Sequence, residues 1–136
     1  MKFAFAAVLL AGAAIASSAS AQTTTPRSVV SIYRAAPGHQ LALLKWFAQR
    51  DEAAKAANVA PSVLYVHQDG ASWDFVWISP DLTDAQDKAM DAAAKRMGLT
   101  IGPKSGLELR EHIAEHSDTI AAGPTSAAGW LKVIGE

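Results

Sequence analysis

The chain contains no cysteine. Disulfides are thereby excluded, as is any cofactor fixed by thiolates, and the fold must be held by its hydrophobic core alone. Metal coordinated by histidine and carboxylate is not excluded. The sequence also lacks any basic run or stripe, and its formal net charge is only −1. This speaks against nucleic acid as a partner, because neutralising a phosphate backbone takes clustered Lys and Arg. Neither a catalytic motif nor an internal repeat occurs. Aromatic residues make up only 7% of the chain, and four of the ten, Tyr65, Trp73, Phe75 and Trp77, fall in one stretch, Val63 to Ser79.

That stretch, VLYVHQDGASWDFVWIS, reads as two strands joined at Asp69-Gly70. β-branched and aromatic residues fill both arms, and the Asp-Gly pair supplies the positive φ of a hairpin turn. A three-residue loop, Gln68 to Gly70, places odd positions opposite odd ones. Val63, Tyr65, His67, Trp73, Phe75 and Trp77 then share one face, and Leu64, Val66, Val76 and Ile78 the other. One side is aliphatic and the other is aromatic with a histidine. Asp74 is the only charge within its strand and is expected to bond a backbone group or a neighbouring Arg.

At the N-terminus, MKFAFAAVLLAGAAIASSASAQ has an early lysine, an apolar run from Phe3 to Ala16, and an A-x-A site at Ala19 and Ala21. This order predicts a secretory signal over residues 1–21. The run is short of the ~20 residues a spanning helix needs, so the mature protein is expected to be exported, periplasmic or secreted, with no membrane contact after cleavage. Residues 22–28 read as a flexible leader. The domain expected over 29–136 is enough for one hydrophobic core and too small for two.

From Val29, VVSIYR alternates as a strand, with Val30 and Ile32 on one face and Ser31 and Tyr33 on the other. After Pro37-Gly38 the helix formers of His39 to Asn58 follow, with Leu41, Leu44, Phe47 and Ala48 expected on the buried side. Asn58 can close that helix, and Pro61 prevents its continuing. Thr83 with Gln86 fits a capping box for a second helix that Gly98 ends; its face of Ala85, Ala89, Ala93 and Met97 predicts close packing against a sheet. Gly106 to Ser117 is ambiguous. A strand is favoured because it completes a β-α-β-β-α-β series; as a helix the segment aligns Leu109, Ile113, His116 and Ile120. TSAAGWLKVIG predicts a short C-terminal helix.

The series is the ferredoxin-like order, an α+β fold with a four-stranded antiparallel sheet and two helices on one face. With the even-numbered aliphatics Val30, Ile32, Leu64, Val66, Val76 and Ile78 under the helices, the open face would carry Tyr33, Tyr65, Trp73, Phe75 and Trp77. Five aromatics of ~150–250 Å² would expose roughly 750–1,250 Å², against ~300–600 Å² for the largest apolar patch on a usual monomer. A partner burying ~800 Å² would cover it.

From about Val29 to Ser117, in element order and face pattern, the chain resembles the dimeric α+β barrel superfamily, which includes antibiotic-biosynthesis monooxygenase-like and NIPSNAP-like families. It is similar in particular to small exported bacterial proteins of unassigned activity that carry stretches like HQDGASWDF and EHSDTIAAGP. The resemblance implies a homodimer packed through the open sheet faces and enclosing small pockets. Haem-degrading members use a His on the second helix with an Asn and a Trp. Asp84 to Met97 contains neither His nor Asn, which speaks against haem, and no cofactor is expected.

Of the candidate site residues, His67 beside Trp73 could accept a proton or bind a polar ligand group, or else be a hydrogen-bonded interface histidine. Tyr33 and Tyr65 could orient a ligand, and Arg110 with His112 could hold an anionic group. Trp73, Phe75 and Trp77 would serve as walls or as packing. His112 and His116 on one strand would lie ~13 Å apart, at ~3.3 Å per residue, too far to share a metal. Asp118 could orient His116, and His39 is expected to have a local role. Three functions compete: a protein binding a small aromatic or apolar compound, a cofactor-free monooxygenase or isomerase, and a structural exported dimer.

Overall fold

A computed structural model of the chain describes residues 25–70 and 72–136. The expected signal over 1–21 and the start of the leader lie outside the described residues. Strand β1, Arg27–Ala35, leads to helix α1, Gln40–Ala56. Strands β2, Val63–Val66, and β3, Phe75–Pro80, follow as a hairpin. Helices α2, Asp84–Arg96, and α3, Pro103–His112, precede β4, Ile113–Ala122, and helix α4 is Ala127–Ile134. The sheet order is β2-β3-β1-β4, with each adjacent pair antiparallel. This is the ferredoxin-like arrangement. β1 starts two residues before the expected strand, so Arg27 and Ser28 belong to the sheet and not to a leader.

Local chemistry sets the helix ends. Thr83 and Gln86 form the capping box: the Gln86 N–H donates to Thr83 Oγ1 at 3.3 Å, and the Thr83 N–H to Gln86 Oε1 at 3.0 Å. Asp84 and Asp87 in the first turn and Lys95 and Arg96 in the last complement the helix dipole. Both α1 and α2 end in a left-handed residue, Asn58 at φ 55° and Gly98 at φ 75°. Beyond each, Val59 N–H and Leu99 N–H donate back to Ala54 O and Ala94 O at 2.9 Å, the Schellman closure.

The core gathers around Phe47 of α1. Its ring lies 4.8 Å from Trp77, 5.1 Å from Tyr33, 5.8 Å from Phe75 and 5.9 Å from Trp46. The covered face of the sheet is therefore the aromatic one, which corrects the expectation that aliphatics meet the helices. Trp77 lies opposite Ser31 in the register, and small Ser31 and Ala35 leave room for the bulky rings. Aromatic side chains have the most area to gain from burial, and they occupy the layer that two helices can close. α1 is rotated accordingly: it buries Leu43, Trp46, Phe47, Arg50, Ala53 and Ala54. Leu41 is exposed and Leu44 half-buried.

The hairpin makes a second correction, confined to β2. Its register pairs Leu64 with Trp77 and Val66 with Phe75, and His67 N–H donates to Asp74 O at 2.9 Å. The connection from Gln68 to Trp73 thus has an even number of residues, so odd positions on β2 face even ones on β3. A one-residue change in loop parity moves a whole strand's side chains to the other face. Leu64 and Val66 share the covered side, at its edge, while Tyr65 stays on the open side.

Gly106 to Ser117 is neither of the two single elements considered. It is helical through His112 and strand from Ile113. Pro103 opens α3. Leu109 and Ile113, four apart, both pack on the core, and from Ile113 onward the backbone pairs with β1. The alanine face of α2 meets α1 rather than the sheet: Ala93 and Ala94 are buried with Ala53, and Ala57 packs beside them. Met97, expected on that face, is exposed. The C-terminal helix forms as expected, capped by Ser126, whose Oγ accepts from Gly129 N–H at 3.0 Å.

Candidate functional site

The open side of the sheet is paved by two cross-strand rows. Val30, Ile78 and Val63 make one, and Ile32, Val76 and Tyr65 the other. Thr119 and Ser117 of β4 extend them at the far edge. Adjacent pairs of this kind put side chains in direct contact, so the rows form one apolar surface. Ile32 is 41%, Val63 52% and Tyr65 57% exposed. α4 presents a second apolar surface, with Trp130, Leu131, Val133 and Ile134 all exposed.

A pocket of about 210 Å³ opens where the second row ends, walled by Ile32, Tyr33, Trp73 and His116. Arg34 and Glu115 also line it and face each other across β1 and β4, 3.3 Å apart. His116 stacks on Tyr33 at 5.8 Å with 9° between the rings, and its Nε2 lies 3.6 Å from Asp118 Oδ2. Asp118 therefore stands where it can orient that ring. Burial raises the Tyr33 hydroxyl pKa above its ordinary value; Ser31 works against this by hydrogen bonding, and the Asp118 charge adds to it.

Trp73 is held at the rim by its neighbours. Asp74 Oδ2 accepts from Ala35 N–H at 2.8 Å and Asp74 N–H donates to Tyr33 O at 2.8 Å, so the carboxylate bonds backbone at the end of β1. His67 packs on Trp73 at 4.9 Å, and its Nε2 is buried without a protein partner.

The expected residues divide. Trp73 lines the pocket, and Tyr65 and His67 lie on the same, open side of the sheet; Tyr33 borders the pocket from β1 while its ring is buried on the helix side against Phe47. Phe75 and Trp77 are in the helix-side core. Arg110 and His112 stand on the last turn of α3, away from this pocket. His112 instead meets His39, Nδ1 to Nδ1 at 3.3 Å, which gives His39 its local role. Among the described residues no three His, Cys, Asp or Glu side chains are grouped to hold a metal ion. The residues missed as pocket walls are Ile32, Ser72 and, across β1 and β4, Arg34, Glu115, His116 and Ser117; the β1–β4 pairing that aligns the last four depends on a strand boundary at Ile113.

On the helix side the chemistry is different. Arg50 is buried between α1 and α3, where its Nη1 donates to Thr100 O at 2.7 Å and its Nη2 lies 3.4 Å from Glu108 Oε2. Its guanidinium sits 4.8 Å over the Trp46 ring. Burial lowers the Arg50 pKa, with the charges of Glu108 and Asp91 opposing. Arg50 Nε, Trp46 Nε1 and Trp77 Nε1 are buried with no protein acceptor. An unsatisfied buried donor costs roughly 1–3 kcal/mol.

Among the described residues, no helix is long and apolar enough to cross a membrane. No protein-family model matches the chain, and no curated protein matches it. Among solved structures, the chain is similar to a dimeric protein of unknown function and ferredoxin-like fold from Bacteroides fragilis NCTC 9343. The two share 14% identity over 71% of this chain and 95% of that one, with a TM-score of 0.44.

Proposed function

We propose that this protein is an exported homodimer of the dimeric α+β barrel type that binds a small aromatic or apolar compound at the end of its open sheet face. The observation that carries the reading is the 210 Å³ pocket set at the edge of an exposed aliphatic surface. A second copy packed on that surface would roof the pocket and exclude water from it. The walls combine apolar area from Ile32 and Trp73 with the charged pair Arg34 and Glu115, the make-up of a small-molecule site. A flat ring would lie along Trp73, and a polar substituent would reach Arg34 or Glu115. His67, packed on Trp73 at the rim, is the candidate proton acceptor if the bound compound is turned over. Periplasmic export rests on the signal sequence read over residues 1–21.

Displacement of an apolar dye by a panel of aromatic and quinone-like compounds tests the reading. Trp73→Ala should abolish dye binding while leaving the melting temperature within a few degrees, since Trp73 is only half-buried. A wild-type protein that binds neither dye nor any compound of the panel would turn the account to a structural dimer.

A further inference from the structure

We propose that α4 is a clasp, lying over the bare edge strand β2 of a second copy of this chain, so that two exchanged arms lock the dimer from its flanks. This rests on the dimer proposed above and adds a contact that the sheet faces alone do not supply. α4 has the composition of a core helix and the surroundings of a surface one. Trp130, Leu131, Val133 and Ile134 fall on one side at helical spacing, with Lys132 opposite. Yet none of its residues is buried, and none belongs to a core cluster. Even a Cβ added at Gly129 would meet only Thr125 and Ser126 of the helix's own start. A helix this short does not hold in water by itself, which takes ~12–15 residues, so packing must support it.

Its own chain does not supply that packing. The Gly123 N–H donates to Pro26 O at 2.7 Å, and Gly123 O accepts from Ser28 Oγ at 2.9 Å. The exit of β4 is thereby fixed beside the start of β1, with only Pro124 to Ser126 before the helix. β2 is the opposite end strand in the order β2-β3-β1-β4, three strand spacings or ~14 Å away. Its Val63, Leu64, Tyr65 and Val66 are all exposed, and none is the Lys, Glu or Pro that blunts an unpaired edge. A helix laid over such an edge is one way a sheet is closed. In a face-to-face pair whose two-fold axis runs along the strands, β4 of each copy comes over β2 of the other. Each copy then gives one helix and receives one, an exchange that closes on itself. A membrane surface fits α4 less well, because Lys132 is its single charge and a helix held by lipid carries a face rich in Lys and Arg.

The lack of cysteine makes this contact directly readable. Tyr65→Cys and Leu131→Cys, both at exposed positions, are combined in one chain and mildly oxidised; Val63→Cys with Ile134→Cys is the second pair. At least one pair should run as a covalent dimer on a non-reducing gel, and every single variant as a monomer. A chain ending at Thr125 should dimerise about a hundredfold more weakly in sedimentation equilibrium and still melt cooperatively, since it loses no core residue. Leu131→Asp serves if that chain does not fold. A disulfide within one chain, seen as a fast monomer band, would place α4 on its own β2 and overturn the proposal. So would a truncated chain that dimerises like wild type; if it had also lost binding to phosphatidylglycerol vesicles, α4 would belong to a membrane. A wild-type dimer in which neither pair cross-links removes the clasp alone, whereas a monomeric wild type removes the dimer and the clasp together.

Discussion

The two faces of this one sheet are built from different side chains. The covered face has Tyr33, Phe75 and Trp77 packed about Phe47, with Tyr33 4% and Phe75 3% exposed. The open face has Val30, Ile32, Val76, Ile78 and Val63, of which Ile32 and Val63 remain 41% and 52% exposed. Rings that project far from the backbone need a thick layer, and α1 with α2 supplies it. β-branched residues make a flat, low pavement, which suits contact with another flat surface. The difference teaches that hydrophobicity alone does not say which face is the core. Both are apolar, and depth of side chain decides.

The comparison would break most visibly at Phe47. Phe47→Ala should cost about 3–5 kcal/mol, read as a large loss in denaturant midpoint, because four rings lose their common neighbour. Ile32→Ala, the matching truncation on the open face, should cost the isolated chain far less. Equal losses at the two positions would mean that the faces are not distinguished as described.

A smaller effect is expected at the cap that fixes α2 over the covered face. Thr83→Ala should cost about 0.5–2 kcal/mol, and Thr83→Ser should recover most of it. No change in the urea midpoint would show that α2 is held by its alanine contacts alone.

The smallest effect at neutral pH sharpens the contrast electrostatically. The Tyr33 hydroxyl pKa is raised above 10.0, chiefly by burial. A group raised in the folded state contributes stability that is fully present below its unfolded value and is lost as pH rises through the folded one. Wild-type melting temperature should therefore fall more steeply above pH 10 than that of Tyr33→Phe. Parallel curves would mean that Tyr33 is not sheltered.

Much of the fold was legible because its signals are local. The capping box at Thr83 and Gln86, the left-handed stops at Asn58 and Gly98, and the hairpin around Asp69-Gly70 each depend on a few adjacent residues. The facing of β2 was not legible, because it turns on the parity of the connection from Gln68 to Trp73, and an Asp-Gly pair fits loops of several lengths; which face of β1 and β3 the helices cover was not legible because both faces are apolar. The change from helix to strand at Ile113 was hidden for another reason. Leu109 and Ile113 satisfy both periods, and only pairing with β1 arbitrates. The site suffered from both. Aromatic residues read as its walls, but Phe75 and Trp77 are core, and the polar members Arg34 and Glu115 emerge only once β4 is aligned.

The central claim is that the aliphatic open face seats a second copy of this chain, and sedimentation equilibrium of the wild type beside Ile32→Asp tests it most directly. The wild type should sediment as a dimer at micromolar concentration. Ile32→Asp should be a monomer that still melts cooperatively, since a half-exposed carboxylate is solvated once the faces part. A folded wild-type monomer at that concentration, or an Ile32→Asp protein that remains dimeric, would contradict the account.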